Sequence, residues 1–193
     1  MRLMINKKEI FNILKIGITL CLITAISALV LASVNAITEP VIAANNQKKK
    51  TAAMKVILPE ANEFAMIVDV PEYVDEMYAA INEYGEKIGY AVMVSPNGYG
   101  GEISLAVGIN KDLTVSAIDI ISQTETAGLG SKCTSSEFKD QFSGKSGELI
   151  VKKNATANNE IDAITSATVT SKAVTLGVND ALKAVKEKGE LAK

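Results

Sequence analysis

Between Ile16 and Ile37 the chain reads IGITLCLITAISALVLASVNAI, with no charged side chain. This run constrains the fold more than any other feature. A helix of about 20 apolar residues matches a bilayer core of roughly 30 Å and satisfies its own backbone there. The residues before it carry Arg2, Lys7, Lys8 and Lys15 against one acid, Glu9. The positive-inside tendency puts residues 1–15 in the cytoplasm and the bulk of the chain on the extracytoplasmic side. Lys48, Lys49 and Lys50 pull the other way. The rival reading is a cleaved leader ending near VNA at 34–36, yet the run exceeds the roughly 7–15 apolar residues of a leader. The expected organisation is a cytoplasmic N-terminus over 1–15, a transmembrane helix over 16–37, a connecting helix and linker over 38–70, and one domain over 71–193. The protein is then a single-pass component of the cell membrane.

Composition narrows the chemistry. The 193 residues leave room for one anchor and one domain with a real core. The net charge of −2 and a pI near 5.4 offer no basic face for nucleic acid. Histidine is absent, which excludes Ser-His-Asp and Cys-His catalysis and removes the commonest metal ligand. Cys21 lies in the apolar run and Cys133 in a polar loop, and neither belongs to a CxxC pair, so no metal or iron–sulfur site is expected. No residue is nominated as catalytic, and redox work by such a chain requires a borrowed cofactor.

Beyond the span, TEPVIAANNQKKKTAAMK reads as a helix capped by Thr38 with Pro40 in its first turn. LPEANEFAMIVDVPE, with two prolines, reads as an irregular connection. MYAAINEYGEKIGYAVMV reads as a hairpin turning near Gly85. The cleanest strand follows the glycine loop PNGYGG: Ile103, Leu105, Val107 and Ile109 face one way, and Ser104, Ala106 and Gly108 the other. After a turn at Lys111 and Asp112, Leu113, Val115 and Ala117 are in phase while Ile118 and Ile120 are not, which predicts a bulge. SEFKDQF predicts a short helix and ELIVKK a short strand. From about Ser166 to Lys188 the spacing of Val174, Val178, Ala181, Leu182 and Val185 predicts an amphipathic helix. The fold class is α+β: one N-terminal transmembrane helix, an antiparallel-strand-rich domain and a C-terminal helix.

Three stretches are candidates for chemistry. SGKSGE at 143–148 lacks the first glycine of a phosphate loop, since Lys139 stands there, and reads as a turn. ETAGLG at 125–130 combines a carboxylate, a hydroxyl and two glycines in a loop. DAITSATVTSKAV at 162–174 places Thr165, Ser166, Thr168, Thr170 and Ser171 where a helix begins. A purely structural reading makes Thr165 the N-cap and lets Asp162 complement the helix dipole. That leaves Thr168, Thr170 and Ser171 without a task. A helix start attracts phosphate, so a threonine hydroxyl in the first turn is well placed to be esterified by one.

DAITSATVT resembles the flavinylation motif of FMN-binding domains, Asp-x-x-(Ser/Thr)-Gly-Ala-(Ser/Thr)-x-Thr. Asp162, Thr165, Ala167, Thr168 and Thr170 match it, and Ser166 replaces its glycine. ETAGLGSK is similar to the Glu-Thr-Pro-Gly-Leu-Gly of that family, with Ala127 for proline, and NAITEPVIA and GYGGEISLAVGI fall in the family's order. The chain resembles the G subunits of Rnf complexes, the ion-translocating ferredoxin:NAD oxidoreductases, with the C subunits of sodium-translocating NADH:quinone oxidoreductases as close relatives. The resemblance implies FMN joined to Thr168 as a phosphoester by a flavin transferase, with Thr165 and nearby backbone holding the phosphate. It implies that Glu125, Thr126, Gly128, Leu129 and Gly130 flank the flavin, that Gly98, Tyr99, Gly100 and Gly101 line its pocket, and that Lys132 neutralises charge. It implies an electron-transfer subunit partnered by the other membrane and peripheral subunits, relaying electrons from a membrane-embedded iron–sulfur carrier to a second flavin subunit. The alternative is a membrane-anchored extracytoplasmic binding or structural module without flavin. A stand-alone reductase would need a nicotinamide site, and no GxGxxG follows a strand.

Overall fold

The computed structural model describes residues 7–188. It divides into two units, one up to Gln47 and one from Lys48 onward. In the first, the apolar run lies in helix α1 (Lys7–Ile57), which is long and apolar enough to cross a membrane. Its residues from Phe11 to Lys49 are exposed. Its hydroxyl groups do not project as free polar atoms. Thr19 donates to Lys15 O (2.9 Å), Thr24 to Leu20 O (3.0 Å), Ser27 to Ile23 O (2.9 Å) and Ser33 to Leu29 O (2.8 Å), the back-bonding that lets serine and threonine sit in lipid. The separate helix expected to start at Thr38 does not exist. Thr38 donates to Val34 O (2.9 Å) inside α1, and Pro40 is carried within the helix. Proline removes one ladder bond there, and the helix continues through it to Ile57.

The second unit is built on a five-stranded antiparallel meander: β1 (Glu63–Ile67), β2 (Glu76–Ile81), β3 (Lys87–Val94), β4 (Ser104–Asn110) and β5 (Val115–Ser122), in sheet order β1-β2-β3-β4-β5. The hairpin about Gly85 (φ 78°) is as expected. Strand β1 lies in the stretch read as an irregular connection. The expected bulge is present: Gly108 pairs with Ala117 but Ile109 with Val115, so Val115 and Ile118 reach the same core. Helix α2 (Ser136–Lys139) with the 3-10 turn Asp140–Phe142 matches the predicted short helix. Strand β6 (Ile150–Lys152) matches the predicted short strand, and SGKSGE forms turns with Gly144 and Gly147 at positive φ. A short strand unforeseen in the sequence, β7 (Glu160–Asp162), pairs parallel to β6. Helix α3 (Thr168–Lys188) closes the described chain.

The alternation in β4 divides the interior in two. Ile103, Leu105, Val107 and Ile109 join Val92, Val94, Phe138, Phe142 and Ile161 in the main core, which α3 covers with Val174, Val178, Ala181, Leu182 and Val185. Each fully buried valine there contributes roughly 1.5–3 kcal/mol of transfer free energy. On the opposite face Ala80, Ala91 and Ala106 are small, and the end of α1 (Ala53, Met54, Ile57) and Leu58 lie down on them. Gly108 permits this approach, because a Cβ there would come within 2.6 Å of the Ile57 carbonyl oxygen. Gly108→Ala is therefore expected to destabilise this unit by about 1–3 kcal/mol, read as a lower urea midpoint for the full chain in detergent. An unchanged midpoint would show that α1 does not pack as described.

Candidate functional site

Two of the five hydroxyls at the head of α3, those of Thr170 and Ser171, have structural tasks. Ile164 O accepts the Ala167 amide (2.9 Å), closing a turn in which Ser166 has φ 64°. A positive φ at the third position of a turn usually calls for glycine. Ser171 is fully buried. Its hydroxyl accepts the Ile164 amide (2.9 Å) and donates to Ala167 O (3.0 Å), fastening the turn to the helix. Thr165 is not the N-cap: Ala167 immediately precedes the helix, and its carbonyl accepts the Ser171 amide (3.1 Å). Thr170 is also buried and donates to Glu125 Oε2 at 2.5 Å. Thr165, Ser166 and Thr168 are exposed.

Thr168, the first residue of α3, opens onto a cavity of about 590 Å³ lined by Tyr99, Glu125, Thr126, Leu129, Gly130 and residues 166–170. Three segments far apart in sequence thus converge on one hollow. Its volume falls in the range of about 300–1,000 Å³ usual for ligand clefts. The amides of Thr168, Val169 and Thr170 precede the first intrahelical bond, so the helix end adds partial positive charge at this wall. Tyr99, Leu129 and Val169 give the rim exposed apolar surface.

Glu125 ties the segments together. It is 8% exposed, and Oε1 accepts the Gly100 amide (2.9 Å) while Oε2 accepts the Thr170 hydroxyl. The glycines around it are spacers: a Cβ at Gly98 would lie 2.2 Å from Oε1, and one at Gly130 2.3 Å from Oε2. Buried Cys133 lies nearby. Burial, and then the Glu125 charge, push its thiol up to about 11, so it stays protonated.

Other nominated residues lie elsewhere. Asp162, Thr165 and Lys132 line a separate hollow of about 180 Å³. Asp162 ends β7, and its Oδ1 accepts the Ala155 amide (2.7 Å). Gly100 acts through its amide rather than as lining, and Gly128 (φ 78°) donates its amide to Ser131 Oγ (2.9 Å) to turn the loop. Val169 was not singled out in the sequence. Its signal is an apolar residue on the exposed side of the first turn, beside Thr168. The donor set offers no metal centre, since no group of three or more Asp, Glu or Cys suited to one occurs among the described residues.

The domain is of a flavin-binding class: the family model of the FMN-binding domain matches residues 98–183. The model of the RnfG N-terminal region matches residues 4–57. The G subunit of the Na(+)-translocating ferredoxin:NAD(+) oxidoreductase complex of Acetobacterium woodii is 38% identical, covering 92% of each chain. The G subunit of the proton-translocating complex of Clostridium ljungdahlii is 35% identical, covering 93% of this chain and 94% of that one. The chain belongs to the RnfG family, the G subunits of the ion-translocating oxidoreductase (Rnf) complexes. In fold it is similar to the C subunit of the Na(+)-translocating NADH-quinone reductase of Parabacteroides distasonis, with a TM-score of 0.56, 19% identity, and 75% and 90% of the two chains covered.

Two predictions concern the frame of the site. Ser166→Gly should stabilise the protein by about 0.5–1 kcal/mol, because glycine occupies positive φ without strain; a thermal midpoint that falls would refute the strain. Glu160, held by Lys152 and by the amides of Thr156 (2.9 Å) and Ala157 (3.1 Å), has its pKa lowered from 4.5 to about 2. A depressed carboxyl stabilises fully above its unfolded pKa and loses that contribution as pH falls through the folded one. Stability should therefore decline between pH 4.5 and 2, and Glu160→Gln should flatten that limb in denaturant titrations.

Proposed function

We propose that this chain carries FMN esterified through its phosphate to Thr168 Oγ1, attached by a flavin transferase, and serves as an electron-transfer subunit of an ion-translocating ferredoxin:NAD+ oxidoreductase complex. The observation that carries the proposal is the convergence of Tyr99, the 125–130 loop and the head of α3 on one cavity, with the Thr168 hydroxyl exposed at its wall. The flavin supplies the electron chemistry when bound, and the protein supplies place and surroundings.

The chain's own residues do the rest. Thr168 offers the oxygen that anchors the phosphate. The first-turn amides and the helix field favour its negative charge. Ser166 turns the chain so that Thr168 faces the cavity while Ser171 stays inside. Tyr99, Leu129 and Val169 shield a ring from water at the rim. Asp162 and Thr165 line the neighbouring hollow. Helix α1 keeps the protein in the membrane beside its partner subunits. The excess of Lys and Arg before the span orients the N-terminus to the cytoplasm and the FMN domain to the extracytoplasmic side.

The test is coexpression with a flavin transferase, followed by denaturing electrophoresis. The native chain should keep flavin fluorescence in its band, and Thr168→Ala should lose it entirely. A dark native band would favour the flavin-free anchored module. A bright Thr168→Ala band would move the attachment to another hydroxyl.

A further inference from the structure

The cavity beside Thr168 has an unbalanced charge. Glu125 is the one acidic side chain in its lining, and no lysine or arginine shares the wall. The carboxylate is buried and cannot swing away. Both oxygens are engaged, by the Gly100 amide (2.9 Å) and the Thr170 hydroxyl (2.5 Å), and a Cβ at Gly98 or Gly130 would collide with it. One amide and one hydroxyl stabilise an anion locally but add no opposite charge. At this burial its field is less screened than that of a surface group. Its reach is visible at Cys133, whose thiol it helps keep protonated.

We infer that Glu125 is a fixed anion that sets the reduction potential of the bound flavin, holding it lower than the same pocket would without that charge. This rests on the FMN reading above. Uptake of two electrons and one proton leaves the ring with one extra negative charge, and a neighbouring anion opposes that step. The same carboxylate positions the pocket by tying the Gly100 loop to α3. Glutamine keeps the size of the side chain and removes the charge: its oxygen can still accept the Gly100 amide, while its NH2 must donate to the Thr170 hydroxyl instead of accepting from it.

The experiment is a spectroelectrochemical titration of the FMN-loaded full chain in detergent. In the FMN that it binds, measured against the flavin content of each sample, E125Q should shift the oxidised–reduced balance about tenfold toward reduction, a rise of about 30 mV for a two-electron couple. Thr170→Val cuts one bond and keeps the charge, so it should lower thermal stability without raising the potential. Should E125Q fail to fold, Val169→Lys adds a cation to the exposed rim and should raise the potential in the same direction. Equal potentials for the parent and a well-loaded E125Q overturn the inference and leave the FMN assignment standing, as does a Val169→Lys protein with the parent's value. A parent that takes up no FMN overturns both.

Discussion

The position of the first turn of α3 governs the whole cavity. That helix is fixed by its buried face: Val174, Val178, Ala181 and Val185 lie against the sheet with almost no exposure. The register that buries them also buries Thr170 and Ser171 and turns Thr168 outward. A shift of one residue would rotate the helix face by about 100° and move the Thr168 hydroxyl off the cavity. Core packing therefore decides which oxygen is presented, although Val174, Val178, Ala181 and Val185 do not line the cavity.

The second constraint is polar. A carboxylate inside a domain is costly unless its oxygens are satisfied. Here two glycines give Glu125 room, and a backbone amide and a threonine hydroxyl satisfy it. These contacts link the Gly100 loop to the head of α3 through Glu125. The glycines around Glu125 thus act by making space, and Tyr99, Leu129 and Val169 form the apolar rim of the cavity.

Much of the fold was legible because periodicity reflects burial. The two-residue repeat of β4 gave both its faces, and the phase change at Ile118 gave the bulge. The 3.6-residue repeat gave α3. Short or edge elements were not legible: β7 spans Glu160–Asp162, and β1 has mostly exposed side chains. Pro40 read as a helix start because its local preference carries no information about the apolar helix already running through it. At the site, the motif pointed to Thr168, but it could not show that Asp162 and Thr165 line a different hollow. Nor could it show that Glu125 meets Thr170 across a sequence separation of 45 residues, a contact that only tertiary packing creates.

The most direct test is tandem mass spectrometry of the tryptic peptide spanning residues 154–172, from protein isolated out of membranes that contain the flavin transferase. That peptide holds all five hydroxyls at the head of α3. The account predicts a single adduct of one FMN less water, with fragment ions assigning it to Thr168. An unmodified peptide, or an adduct on Thr165, Ser166, Thr170 or Ser171, would contradict it.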